Sequence, residues 1–133
     1  KTMIDKDSMY NTPPCWCIYI LGLVLDWLES KGGIPGMEAI KHSKAQMLYD
    51  VIDNSKLFTC AVEPGSRSDM NVVFRTGNDE LDAKFVKESV EAGFTNLKGH
   101  RSVGGMRASI YNAMPTEGVE KLCDFIKAFD KNN

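Results

Sequence analysis

Soft metal ligands are scarce in this 133-residue chain, which holds two histidines (His42, His100) and four cysteines (Cys15, Cys17, Cys60, Cys123). No C-x-x-C pair and no Cys/His cluster has zinc spacing, so a metal-built domain is excluded. Two of the cysteines lie inside an apolar run, and reduced, buried thiols in a cytoplasmic protein are expected in place of a disulfide framework. Long hydrophobic runs are missing too. The longest, Cys15 to Leu25, falls short of the roughly 18–20 residues that cross a bilayer, and no basic segment with a cleavage site precedes it. Neither sign of charge dominates: 16 basic against 18 acidic residues give a formal net charge of -2, which leaves no global basic field for nucleic acid or an anionic membrane. There is no phosphate-cradling Gly-rich P-loop, no Ser/His/Asp or Cys/His set with recognisable flanks, and no pair of carboxylates that stands out. Internal repeats and low-complexity segments are also absent. The sequence opens on Lys1 without an initiator methionine, as the middle of something longer would.

What is present suffices for a core. At 43% hydrophobic and 26% charged residues, the composition suits one compact domain. Residues 1–10 are polar and read as an irregular or edge segment. Asn11-Thr12-Pro13-Pro14 then reads as a helix start, with Thr12 as the cap and proline in the first turn. The helix expected over about 14–30 is apolar nearly all round, which predicts burial on most sides. A second helix, over about 36–54, sets Met37, Ile40, Met47, Leu48, Val51 and Ile52 on one face. Residues 58–63 and 71–76 are β-type runs, expected to pair antiparallel across Pro64-Gly65-Ser66-Arg67-Ser68. Asn78 should cap a third helix whose first turn carries Asp79, Glu80 and Asp82, favourable at the positive helix end. Its expected stripe is Leu81, Phe85, Val86 and Val90, and Gly93 should stop it. A brief strand is expected over 94–97. A last helix from Pro115-Thr116 should bury Val119, Leu122, Cys123, Ile126 and Phe129. The order α-α-β-β-α-β-β-α predicts an α+β layer sandwich, with helices packed on a small mixed sheet.

The chemistry concentrates in Gly99-His100-Arg101-Ser102-Val103-Gly104-Gly105-Met106-Arg107-Ala108-Ser109-Ile110-Tyr111-Asn112. It holds two of the four arginines and one of the two histidines. After the Gly-Gly pair, Met106, Ala108 and Ile110 alternate with Arg107, Ser109 and Tyr111, the period of a strand with one apolar face. Arg107 leaves on the polar face, while His100 and Arg101 belong to the loop entering the turn. An ion pair with one of the 18 acidic residues would account for Arg107 alone. Three donors around one bend point instead to an anion, and a planar guanidinium suits a carboxylate bidentately. Gly104-Gly105 serves as a turn or lets backbone approach a ligand closely. His42 reads as a hydrogen-bonded bystander. Asn11-Thr12 is a second candidate anion site, because helix N-termini bind phosphates; Pro13 and Pro14 remove two backbone donors, so the two side chains would have to do the holding. The competing reading there is an ordinary N-cap. Nothing around Lys98 argues for the desolvation that would make it a nucleophile.

Two motifs carry a resemblance: Asn11-Thr12-Pro13-Pro14 before an apolar helix, and Lys98 through Ala113, supported by Met70-Asn71 with Phe74 and the closing amphipathic helix. Together they resemble the C-terminal part of the phosphoserine aminotransferase family, over essentially the whole chain. The resemblance implies the aspartate-aminotransferase fold type of class-V pyridoxal-phosphate enzymes. It also implies a homodimer with its active site at the subunit interface. The implied reaction interconverts 3-phosphohydroxypyruvate plus glutamate with O-phosphoserine plus 2-oxoglutarate in serine biosynthesis. By the same resemblance, Arg107 grips the substrate α-carboxylate and His100 and Arg101 hold its phosphate. Asn11 and Thr12 reach across the interface to the phosphate of the partner's pyridoxal 5'-phosphate. Residues 1–35 would close the large cofactor-binding domain and 36–133 would form the small substrate-binding domain. The first helix would then lack part of its cover and expose apolar surface.

In that family the cofactor-anchoring Schiff-base lysine, the ring-stacking aromatic and the aspartate facing the pyridine nitrogen lie upstream of the position matched by Lys1. No catalytic residue is therefore expected within the chain, which as a fragment should not transaminate alone. The alternative is a stand-alone, non-catalytic phosphoserine- or anion-binding module. Neither reading involves nucleic acid, a membrane or a metal.

Overall fold

In the computed structural model, which describes all 133 residues, the helical periods become five α-helices and the period-two runs become one short antiparallel ribbon. The chain divides into two units, Lys1–Met37 and Glu38–Asn133. The first contains α1 (Thr2–Asp5), a single turn where an irregular segment was expected, and α2 (Cys15–Ser30). Thr12 is not the cap of α2. The N-cap position is Pro14, with no side-chain hydrogen bond to the first turn.

The apolar composition of α2 does not translate into burial within the chain. No residue of α2 is buried, and Trp16 (72% exposed), Ile18, Tyr19, Leu21 and Leu25 all face solvent. Cys15 and Cys17 are exposed as well, contrary to the expectation of buried thiols, although all four cysteines are free. Periodicity states which faces need cover, and an all-apolar helix needs it all round; no element of this unit supplies it. The exposed surface that the resemblance implied is what the structure contains.

The larger unit owes its core to phase agreement between helices. Helix α3 (Gly33–Asp53) begins three residues earlier than expected. It brings Leu48 and Ile52 into the core, with Ala45 and Tyr49, while Ile40 stays exposed at 36%. The 71–74 run forms β1 (Asn71–Phe74), but its partner is not the 58–63 run. It pairs with β2 (Met106–Ser109), Val72 opposite Ala108 and Val73 opposite Arg107. The 58–63 run contributes only the bridge Thr59↔Arg75, and the 94–97 run gives way to the bridge Lys98↔Met106. Residues Pro64–Ser66 form a 3-10 turn. The sheet is therefore two-stranded and antiparallel, and it is not mixed. Strand pairing is a non-local choice that turn residues alone do not fix.

Helix α4 (Asp79–Glu91) starts as expected: the Asn78 side chain accepts from the Glu80 and Leu81 amides at 2.9 and 3.2 Å. Its buried positions include Phe85 and Ser89, while Val90 is exposed. Helix α5 (Thr116–Asn132) buries the five expected residues. Phe85 lies at the centre of the core, with the rings of Phe58, Phe125 and Phe129 at 5.2, 5.1 and 5.1 Å in edge-on geometry. Such pairs add about 0.5–1.5 kcal/mol each beyond burial.

Candidate functional site

The β1–β2 ribbon has one face in the core and one outside it. Val72, Phe74, Met106 and Ala108 are buried; Asn71, Val73, Arg107 and Ser109 alternate with them on the other face. On that outer face the Ser109 hydroxyl donates to Asn71 Oδ1 at 3.2 Å. The Arg107 amide donates to the Leu97 carbonyl at 2.8 Å.

Beside it lies the turn of residues 98–105. The Gly99 amide donates to the Gly105 carbonyl at 2.8 Å, and the His100 carbonyl accepts from the Val103 and Gly104 amides at 2.9 Å each. Gly104 and Gly105 both have positive φ (78° and 61°), and a Cβ on Gly105 would come 2.8 Å from the Phe74 carbonyl. The Gly-Gly pair therefore does both jobs: it turns the chain and allows close approach, here to the neighbouring strand.

His100 and Arg101 sit exposed on this turn. The Ser102 amide donates to His100 Nδ1 at 3.3 Å, and the Ser102 hydroxyl lies 2.8 Å from the same nitrogen. Nδ1 is therefore the acceptor, so the neutral ring carries its proton on Nε2, which has no acceptor in the chain. Arg101 makes no ion pair. Arg107 makes none either, and its Nε is buried without a hydrogen-bond partner. That removes the ion-pair alternative for Arg107: none of the 18 acidic residues neutralises it.

His100 and Arg107 line one cavity of about 130 Å³, together with Arg75, Val103 and Gly104. A larger hollow of about 440 Å³ shares Gly99, His100 and Gly104 with it and takes in Lys98, Arg101, Asp79 and Asp82. The structure thus brings His100 and Arg107 together and sets Arg101 on the adjoining side. Asn11 and Thr12 belong to the other unit, where both are exposed and neither side chain has a hydrogen-bond partner.

Two cationic residues escaped the reading of the sequence. Arg75 continues the outer-face alternation of Asn71 and Val73, which is the signal that could have identified it. Lys44 is fully buried, and its ammonium donates to the carbonyls of Tyr111, Asn112 and Met114 at 2.9, 3.3 and 2.9 Å. Burial pushes its pKa below the ordinary lysine value. It lies four residues after Ile40 and four before Leu48, a charge on an otherwise apolar stripe, and that placement was its signal. Lys44 ties α3 to the turn that follows β2, so it fixes the strand carrying Arg107.

Comparison with known proteins bears on what such a site holds. The family model described as aminotransferase class-V matches residues 1–122. The phosphoserine aminotransferase of Listeria monocytogenes is 54% identical over 129 residues, 97% of this chain and 36% of that protein. The chain thus spans about a third of the length of such relatives. Among solved structures, phosphoserine aminotransferase from Bacillus circulans subsp. alkalophilus superposes with a TM-score of 0.93 at 47% identity, over 98% of this chain and 37% of that one. The PLP-bound phosphoserine aminotransferase of Trichomonas vaginalis gives 0.87 at 39% identity, over 94% and 36%. The α+β arrangement of helices on a small antiparallel sheet is accordingly that of an aspartate-aminotransferase-like fold. A family match over nearly the whole length, with solved structures of the same fold, leads to one conclusion: the chain belongs to the class-V aminotransferase family.

Proposed function

We propose that this chain is the C-terminal part of a pyridoxal-phosphate-dependent phosphoserine aminotransferase. The protein would interconvert 3-phosphohydroxypyruvate plus glutamate with O-phosphoserine plus 2-oxoglutarate, in the serine biosynthesis of the cytoplasm. The observation carrying this reading is the Arg107 guanidinium, half-buried and without any protein anion, sharing a cavity with His100. Nearly the whole chain matches phosphoserine aminotransferases, including one bound to PLP. No helix here is long and apolar enough to cross a membrane.

In this reading Arg107 clamps the substrate α-carboxylate through its planar fork and so orients the Cα–H bond. His100, through Nε2–H, and Arg101 hold the phosphate on the adjoining side of the turn. Both are exposed, Arg101 has no ion pair and only Nδ1 of His100 is engaged, by Ser102, which suits donors that wait for an anion. Asn11 and Thr12 fit a cofactor phosphate for the same reason: their side chains are exposed and unpartnered, before a helix whose N-terminus has no side-chain cap. They would serve the cofactor of a second subunit in a homodimer. The exposed apolar surface of α2 supports burial against further protein. Residues 1–35 would belong to the large cofactor domain and residues 36–133 to the small substrate domain. The chemistry that pyridoxal phosphate supplies when bound is delocalisation of the electron pair left when the Cα–H bond breaks.

The test is a transamination assay on the protein expressed from its complete gene. Arg107→Ala should lower kcat/KM by about a hundredfold or more for every amino donor. Arg101→Ala should lower it for O-phosphoserine and leave unphosphorylated serine unaffected. Equal losses for both donors would refute the phosphate assignment. A protein that binds phosphoserine but transfers no amino group would favour the binding-module reading.

A further inference from the structure

Arg75 is the cation that the site so described leaves unexplained. Its backbone is fixed by two hydrogen bonds with Thr59, at 2.8 and 3.0 Å, which continue the pairing of β1 by one residue. It follows Val73 on the outer face of the ribbon, and Val73 stands opposite Arg107, so Arg75 and Arg107 are diagonal neighbours. A Cβ on Gly105 would come 3.0 Å from the Arg75 Cβ, so glycine at 105 leaves the room that Arg75 occupies. Both arginines line the 130 Å³ cavity with His100. Both carry a buried Nε without a partner. The one carboxylate near either is Asp79, whose oxygen lies 3.7 Å from an Arg75 terminal nitrogen, too far for a hydrogen bond, and Asp79 is almost fully exposed.

The Arg75 side chain as a whole is 43% exposed, so solvent screens its charge. The two buried Nε–H donors on one face stay unmet, however, and an anion between the arginines would satisfy both. We propose that Arg75 is a second arginine of the carboxylate site, sharing with Arg107 the α-carboxylate of the amino-acid substrate. This rests on the reading of Arg107 given above. Arg101, which faces the adjoining hollow and not this cavity, is left to the phosphate. Asp79 then acts as a weak competitor that holds Arg75 in place while the site is empty.

The experiment is an NMR titration that follows the two arginine Nε–H resonances in the protein as O-phosphoserine, and separately glutamate, is added. Both resonances should shift together with one Kd. Arg75→Gln should raise the Kd read at Arg107 by about tenfold for both ligands, with Arg75→Lys recovering only part of it. Asp79→Asn should tighten binding, which a merely structural role for Arg75 would not produce. A shift at Arg107 alone, with Arg75→Gln at the wild-type Kd, overturns this proposal and leaves the assignment of Arg107 intact. A loss confined to O-phosphoserine overturns the carboxylate assignment. No shift at either arginine removes both readings.

Discussion

Lys44→Met should cost about 2 kcal/mol of stability, although it replaces a charge with an apolar side chain inside a core. The wild-type ammonium serves three carbonyls. In the variant the Tyr111 carbonyl keeps the Met114 amide at 2.9 Å, whereas those of Asn112 and Met114 lose their only donor in the chain. Two orphaned acceptors cost about 1–1.5 kcal/mol each, less whatever hydration the surface turn recovers. Against that stands the relief of no longer burying an ammonium, which makes the loss smaller than for a neutral donor network of the same size. With a urea m-value of about 1.5 kcal/mol/M, the midpoint should fall by about 1 M. The pH dependence supplies a second handle. Burial lowers the folded pKa below the ordinary 10.5, so above the folded value the unfolded chain binds the extra proton and the stability contribution of Lys44 rises with pH up to 10.5. Urea melts of both proteins at neutral and mildly alkaline pH measure this. A midpoint change worth less than 0.5 kcal/mol, or a wild-type advantage that shrinks as pH rises toward 10.5, refutes the reasoning.

Other outcomes follow from single contacts. Burial holds the Cys123 thiol up at about 11 from 9.0, so its contribution is intact below pH 9 and is lost as pH rises through 11. By linkage the loss is about 3 kcal/mol, at about 1.4 kcal/mol for each pKa unit, and Cys123→Ala should flatten the alkaline limb of a stability–pH profile. Asp53 accepts from both terminal nitrogens of Arg67, at 2.6 and 2.8 Å, and that bonding lowers its pKa below the ordinary 3.8. The pair should stabilise the chain above pH 3.8 and fade as pH falls further, and Asp53→Asn should cost about 0.5–1 kcal/mol in thermal melts at neutral pH. Gly99→Ala would drive a Cβ into the carbonyls of Gly104 and Gly105. It should cost about 2 kcal/mol and shift the amide resonances of the whole 98–105 turn. Asn78→Ala should cost about 1 kcal/mol through loss of the α4 cap, readable as a lower melting temperature.

Much of this protein was determined locally. The Asn78 cap, the acidic first turn and the five-residue stripe of α5 follow from chemistry within a few residues of each other, and they hold in the structure. The same is true of Arg107: its place on the outer face follows from alternation over Met106–Ser109 alone. The 98–113 motif was enough to indicate the family.

What tertiary structure decided was every choice between distant partners. The 71–74 run was expected to pair with 58–63 across the turn between them; it pairs instead with β2, which puts Val72, Phe74, Met106 and Ala108 together on one buried face. That pairing set Arg75 diagonal to Arg107, a relation invisible to spacing because the two are 32 positions apart (107 − 75). Lys44 looked like a misplaced charge on α3 until the turn at 111–114 supplied its acceptors. The periodicity of α2 predicted burial, and only the family resemblance pointed to the exposure that the structure shows. An apolar helix declares that it needs cover, and only the arrangement of the rest of the protein says whether that cover is there.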